Sequence, residues 1–253
     1  GEMLFFAGKC FAETPYKLPA EYFERLSILG RFLDAITSED GRSLQVGDND
    51  SGRVVCISPE RYDDLRLVSR LVDREIGSNV PDEAFFAEEE LFYGASGRAT
   101  CIPSWRGGAR AFFDAGMALA RYGGWSLGFF ASDGFVGDSE PGHTHNDKLS
   151  LMLGFKGVPF VVDPGSGVYT RDPKVRNILR GTAQHSTLRF GDLEQNDFRG
   201  LFGYTRRGGA SLDVMEADGA VVLRGATDCW ATRLGVIHKR VVEVGSEGVV
   251  VKD

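Results

Sequence analysis

The feature that most restricts the fold is a change of texture near residue 95. Beyond it, short apolar runs at 115–122, 125–130, 149–155, 158–162, 186–190, 220–224 and 236–244 are separated by Gly, Asp and Pro. Parallel strands need long helical crossovers, and none intervenes, so the pattern predicts a mostly antiparallel β-sandwich. Thirty-three glycines in 253 residues suit such a turn-rich body. Before residue 95 the period is helical. Tyr22, Phe23, Leu26, Leu29, Phe32, Leu33 and Ile36 recur at three- and four-residue steps, entered through Pro19 and left at Asp40-Gly41. A second amphipathic stretch runs over 62–76 through Leu65, Val68, Leu71 and Val72, and the acidic segment 83–90 predicts a short third helix. Helices followed by an antiparallel sandwich make the chain α+β. The closing run Val249-Val250-Val251-Lys252-Asp253 reads as a strand cut mid-sheet, which suggests a piece of a longer protein.

Charge and composition exclude several functions. No run of about 18 apolar residues appears, so no membrane span is expected. The net charge is −7, and the first hundred residues carry most of the acidity, with 11 Lys+Arg against 19 Asp+Glu. No basic patch with interleaved aromatics stands out, which argues against a nucleic-acid partner. Cys10, Cys56, Cys101 and Cys229 are far apart with no CxxC pair, so zinc-ribbon and redox motifs are excluded. Buried thiols and one or two disulfides both remain open. Residues 47–52 hint at a calcium loop, but the twelfth position from Asp48 is Pro59 where a bidentate Glu is required. A polar turn is the plainer reading. Ser96 and Ser166 both miss the spacing of a nucleophile elbow.

The chemistry concentrates in the histidines. Of four, His143, His145 and His185 lie within 43 residues, in the text Gly142-His143-Thr144-His145-Asn146-Asp147 and just before the run at 186–190. On a strand, His143, His145 and Asp147 would share one face. Asp163 ends the buried-looking run 158–162, where a carboxylate must be solvated, hydrogen-bonded or bound to metal. Two imidazoles and a carboxylate make a nitrogen and oxygen set typical of zinc. A structural polar network is the alternative. His238, alone in a late strand, reads as structural. The His-x-His-x-Asp text is also similar to that of metallo-β-lactamase-type hydrolases, but Lys148 stands where their next His falls.

The stretch from Gly142 to Ser150 resembles the GHxHxDxLS signature of heparinase II/III-like polysaccharide lyases. The sequel of that family is matched by Gly157-Val158-Pro159, by Asp163-Pro164-Gly165 with Tyr169, by Arg176 and Arg180, by Thr182 to Thr187 around His185, and by Gly191 to Asn196. Residues 47–52 resemble a GDxDxG stretch late in the family's helical domain. The resemblance implies the end of an (α/α) toroid over residues 1–95 and an antiparallel β-sandwich over 96–253 that stops before it is complete. It implies a largely structural zinc on His145, Asp163 and His185, with His143 facing the substrate cleft. Tyr169 joins His143 as a catalytic candidate, and Arg176 and Arg180 are candidates for binding substrate. The implied reaction is β-elimination at a uronic acid of an acidic polysaccharide. The family's other catalytic Tyr and Asn/His come from helices upstream, so little turnover is expected from this chain alone. A periplasmic or secreted bacterial protein is implied; the sequence does not specify oligomeric state. A non-catalytic carbohydrate-binding or assembly protein on the same fold, and a zinc hydrolase, are the alternatives.

Overall fold

The computed structural model describes residues 2–49, 54–55, 57, 64–77, 84, 86–94, 105, 107–132, 142–205, 208–217 and 219–253. They fall into two compact units, one of residues 1–44 and 50–106, the other of residues 45–49 and 107–253.

The first unit is helical: α1 (Glu2–Ala12), α2 (Ala20–Ile36), α3 (Arg66–Glu75) and α4 (Ala87–Tyr93). The three helices expected from periodicity appear as α2, α3 and α4, although residues 62, 63, 83 and 85 lie outside the described part. The helix α1 was not expected, because its apolar residues Met3, Leu4, Phe5 and Phe6 run consecutively rather than at helical steps. Phe5 is nevertheless the centre of a small core with Leu67, Leu71 and Phe86. Beside it, Arg70 and Arg74 both donate to Glu89 Oε1 at 2.7 and 2.9 Å, and the Phe86 amide donates to Oε2 at 3.2 Å. Three donors satisfy a carboxylate that is otherwise fully buried.

Asp73 on α3 is less well served. Burial, and then the charge of Asp34 on α2, push its carboxyl up to about 6, against a smaller opposite pull from Arg70. A raised folded-state value means that stability falls as pH rises from about 4 to 6, and the ionised carboxylate costs the fold its full penalty above that. Asp73→Asn is therefore expected to stabilise the protein at pH 7, by about 1–2 kcal/mol because solvent screens a partly exposed carboxylate, and to change little at pH 3.5. Thermal melts of both proteins across that range test this, and equal melting temperatures at pH 7 would refute it.

The second unit contains two main antiparallel sheets. In chain order its elements are β1 (Gly108–Phe112), β2 (Met117–Tyr122), β3 (Trp125–Phe130), β4 (Ser150–Phe155), β5 (Val158–Val161), α5 (Pro173–Leu179), β6 (Phe198–Arg199), β7 (Gly203–Tyr204), β8 (Ala210–Ala217), β9 (Ala220–Thr227), α6 (Ala231–Leu234), β10 (His238–Gly245) and β11 (Val249–Lys252). One sheet has the order β1-β2-β3-β4-β5, the other β11-β10-β9-β8, and β6 pairs with β7. Ala118, Ala120, Leu127, Phe129 and Leu151 of the first sheet meet Val221, Leu223, Val242 and Val244 of the second. On β9 and β10 the buried residues alternate strictly, as one covered face requires. Between the sheets a Cβ on Gly225 would come within 2.5 Å of Leu149 Cδ2 and 2.8 Å of Phe129 Cζ, so only hydrogen fits there.

Two expectations about this unit are corrected. The run 158–162 is not buried: Val158, Phe160 and Val162 are 65%, 55% and 59% exposed. β5 is an edge strand, and Val161 is its residue against the core. Residues 186–190 form no strand; the Thr187 hydroxyl bonds to the Lys148 carbonyl at 2.6 Å instead of extending a ladder. Cys10 and Cys229 are free thiols, whereas Cys56 and Cys101 lie outside the described residues.

Candidate functional site

The site grows from the loop of residues 142–149 that leads into β4. This loop is a series of turns rather than a strand, so the period-two alignment expected of His143, His145 and Asp147 does not apply. The two histidines converge by another route: both reach one carboxylate, that of Asp48. His143 Nδ1 lies 3.0 Å from Asp48 Oδ2, and His145 Nε2 lies 2.9 Å from Oδ1. The Asp48 side chain is fully buried, as is that of His145, while the His143 side chain is 63% exposed.

The loop is held from several sides. Asn146 receives the Asn196 amide at 3.1 Å and donates to Glu194 and to the Asn196 carbonyl, both at 2.9 Å. Gln195 clasps the backbone of Lys148, accepting from its amide and donating to its carbonyl at 2.9 Å each. Tyr204 donates to the Thr144 carbonyl at 2.6 Å; burial pushes its phenol up to about 12, so the proton stays in place. Leu149 closes the loop at φ 60°, a left-handed conformation that costs a β-strand-bound leucine about 1–3 kcal/mol. Its side chain has no exposure, and burial in the core offsets that strain. Gly47 completes the arrangement: its φ is +58°, and a Cβ there would sit 2.4 Å from the His143 carbonyl oxygen. That close approach lets the Asp48 amide donate to the same oxygen at 2.9 Å.

The helix α5 supplies the counter-charge. Asp172 caps it by accepting from the Lys174 and Val175 amides at 3.1 Å, and Pro173 occupies its first position. Arg176 and Arg180, four residues apart, face inward and are both fully buried. Arg176 grips Asp48 with both terminal nitrogens, Nη2 at 2.7 Å from Oδ2 and Nη1 at closer range to Oδ1. Arg180 donates to Asn177 at 2.9 Å and to the Gly200 carbonyl at 2.6 Å, with its guanidinium carbon 4.1 Å from the centre of the Phe198 ring. Both guanidiniums, expected at substrate, are thus engaged inside the protein. Burial opposes the charge on Asp48, yet the His145 and Arg176 hydrogen bonds and the Arg176 charge outweigh it and hold the carboxyl below its usual range. Around Arg176, Tyr169 and Phe202 stack within 5.2 Å of the guanidinium carbon and within 6.2 and 6.3 Å of the His143 ring.

Behind His145 lies the second half of the site. His145, Asp163 and His185 each offer a ligand atom, and these atoms lie within 4.8 Å of one another, a group compatible with a metal ion. Asp163 Oδ2 is 2.7 Å from His185 Nδ1, and Asp163 Oδ1 accepts the Gly165 amide at 3.0 Å. His185 Nε2 and His145 Nδ1 are buried without a hydrogen-bond partner. Buried ring nitrogens are rarely left so, and two beside a carboxylate are the chemistry of a metal centre. Burial disfavours a charged His185, but the Asp163 hydrogen bond and the charges of Asp147, Asp163 and Glu194 prevail and raise it above its ordinary value. His238 is elsewhere, buried and 2.6 Å from Asp253, consistent with a structural role.

Sequence reasoning missed Asp48 and Phe202. The GDxDxG likeness of residues 47–52 was the available signal for Asp48, but residues 50–52 lie outside the described part. No signal pointed to Phe202.

An antiparallel β-sandwich carrying a buried His, His and carboxylate group beside an exposed histidine defines the class. Residues 106–253 match the model of the family described as heparinase II/III-like, C-terminal, and the chain belongs to that family. A search of curated protein sequences gives no match. Among solved structures, the chain is similar to a heparinase III at 15% identity and TM-score 0.62, covering 92% of this chain and 34% of that one. It is likewise similar to the heparan sulfate lyase HepC from Pedobacter heparinus at 21% identity and TM-score 0.60, covering 90% and 32%. The chain spans about a third of the length of these structures, and at such identities the likeness carries the fold alone. Among the described residues no helix is long and apolar enough to cross a membrane.

Proposed function

We propose that the chain is part of a polysaccharide lyase that cleaves a uronic-acid-containing polysaccharide by β-elimination, with a structural zinc in the sandwich unit. The observation that carries this reading is one exposed imidazole, His143, fixed through a single buried carboxylate to a candidate zinc ligand, His145, in a chain of this family. The residues fit the metal, because two buried ring nitrogens and a carboxylate converge. Bound zinc would cross-link His145, Asp163 and His185 and so stiffen the loop bearing His143.

The rest is the work of side chains. β-Elimination needs a base at the proton alpha to the carboxylate, relief of the carboxylate charge, and an acid at the leaving oxygen. His143, exposed beside Tyr169 and Phe202, takes part at the uronate as base or as a donor to its carboxylate. Tyr169 lies at the same rim and is a candidate for proton transfer to the leaving group. Arg176 and Arg180 serve this chemistry from within, by bracing the Asp48 carboxylate and the segment that carries Gly200. A periplasmic or secreted bacterial setting, with an acidic polysaccharide as partner, belongs to the same reading.

The test is product analysis on the longer protein containing this chain. A lyase leaves an unsaturated uronate that absorbs in the near ultraviolet, and polymers with and without sulfate identify the substrate. A reducing end without that absorbance would overturn the reading in favour of a hydrolase, and binding without cleavage in favour of a carbohydrate-binding protein.

A further inference from the structure

Asp48 accepts four hydrogen bonds at once, and two of them fix where both histidines carry their protons. A carboxylate held ionised can only accept, and a guanidinium can only donate. His145 Nε2 sits 2.9 Å from Asp48 Oδ1 and 3.3 Å from Arg176 Nη1. A bare Nε2 would put its lone pair against the carboxylate at the shorter of those distances, so Nε2 carries the proton and Nδ1 does not. That agrees with an independent observation: His145 Nδ1 is the ring nitrogen left buried without a partner beside Asp163 and His185. The same logic applied to His143, whose Nδ1 is 3.0 Å from Asp48 Oδ2, puts a proton on Nδ1. In free neutral imidazole side chains the Nε2–H form prevails, so His143 is held in the minor tautomer.

We propose that Asp48 is the positioning residue of the site, one buried carboxylate that accepts hydrogen bonds from the Nδ1–H of His143 and the Nε2–H of His145 together, turning His143 Nε2 to the cleft and His145 Nδ1 to the metal. Arg176 makes this possible by compensating the Asp48 charge and fixing the carboxylate plane through both terminal nitrogens. The assignment rests on the lyase reading for what His143 does with its outward nitrogen, but not for the tautomers themselves.

The chain has four histidines, so nitrogen-15 labelling and long-range proton–nitrogen correlation spectra, assigned with single His→Gln variants, read every ring. The wild-type chain is expected to show His143 protonated at Nδ1 and His145 at Nε2. In Asp48→Asn, His143 is expected to revert to the Nε2–H form, and zinc affinity to fall about 10–100-fold, the usual cost of losing a group that orients a ligand. In the longer protein kcat falls while KM is little changed, a split that a merely structural role would not give. Because Asp48→Asn strands the Arg176 cation, the pair Asp48→Asn with Arg176→Met is a second route should the single variant fail to fold. His143 protonated at Nε2 in the wild type, or tautomers unchanged in a folded Asp48 variant, would overturn the assignment and leave the lyase reading standing. The stated tautomers with no unsaturated product would uphold the assignment while removing the lyase reading.

Discussion

Replacing His145, Asp163 or His185 by alanine is expected to abolish the binding of about one zinc per chain and to lower the melting temperature of the sandwich unit. The three ligand atoms lie within 4.8 Å of one another on segments far apart in sequence, so a metal there ties the turn loop, the end of β5 and the segment after α5 together. A ligand that binds only the folded state at 100 times its dissociation constant adds about 2.7 kcal/mol, and tighter binding adds more. For a unit of this size that corresponds to a loss of roughly 5–11 °C in each variant. Metal content by mass spectrometry and calorimetry with and without chelator measure both effects. His238→Ala, outside the cluster, should keep its metal. A well-folded wild-type chain that takes up no zinc would leave the three residues a polar network and remove the metal from the reading.

The second large effect belongs to His143. Its side chain is mostly exposed and is tied to the fold through Asp48, so His143→Ala should leave zinc content and melting temperature nearly unchanged. In the longer protein the same substitution is expected to cut the rate of unsaturated-uronate formation by about 10²–10⁴, the usual contribution of a positioned acid or base. Loss of activity together with metal would instead assign His143 to structure. Full activity with intact metal would take it out of the chemistry altogether.

Much of the fold was legible because hydrophobic periodicity is local. The helix ending at Ile36, the strand at 125–130 and the first part of β9, expected over 220–224, follow from spacing alone. The misses have physical causes. β5 reads as buried because a run of Val, Pro and Phe carries no mark of lying at a sheet edge. Residues 186–190 look like a strand, but Thr187 spends its hydroxyl on the loop of residues 142–149. The seven-residue α5 is too short to show a helical period, and its inward residues are arginines rather than leucines. Of the site, His143, His145, Asp163 and His185 were visible as chemistry-bearing types in a motif. Asp48 stood in the GDxDxG likeness, but its link to the histidines was not legible, because it lies 95 residues before His143 and only the folded chain brings the two together.

That distance governs where the chain can be shortened. A fragment beginning at residue 96, where the texture changes, or at 106, where the family match starts, keeps all eleven strands but discards residues 45–49, which belong to the same compact unit. Arg176 would then be a buried cation with no carboxylate, and removing one partner of such a pair costs about 3–5 kcal/mol. Such a fragment would be marginal and poor at holding metal, and its failure would say nothing about the intact centre. Protease trimming should respect the same limit: the smallest piece that keeps the histidines tethered retains Gln45 to Asn49, either in the chain or as a peptide added back in trans.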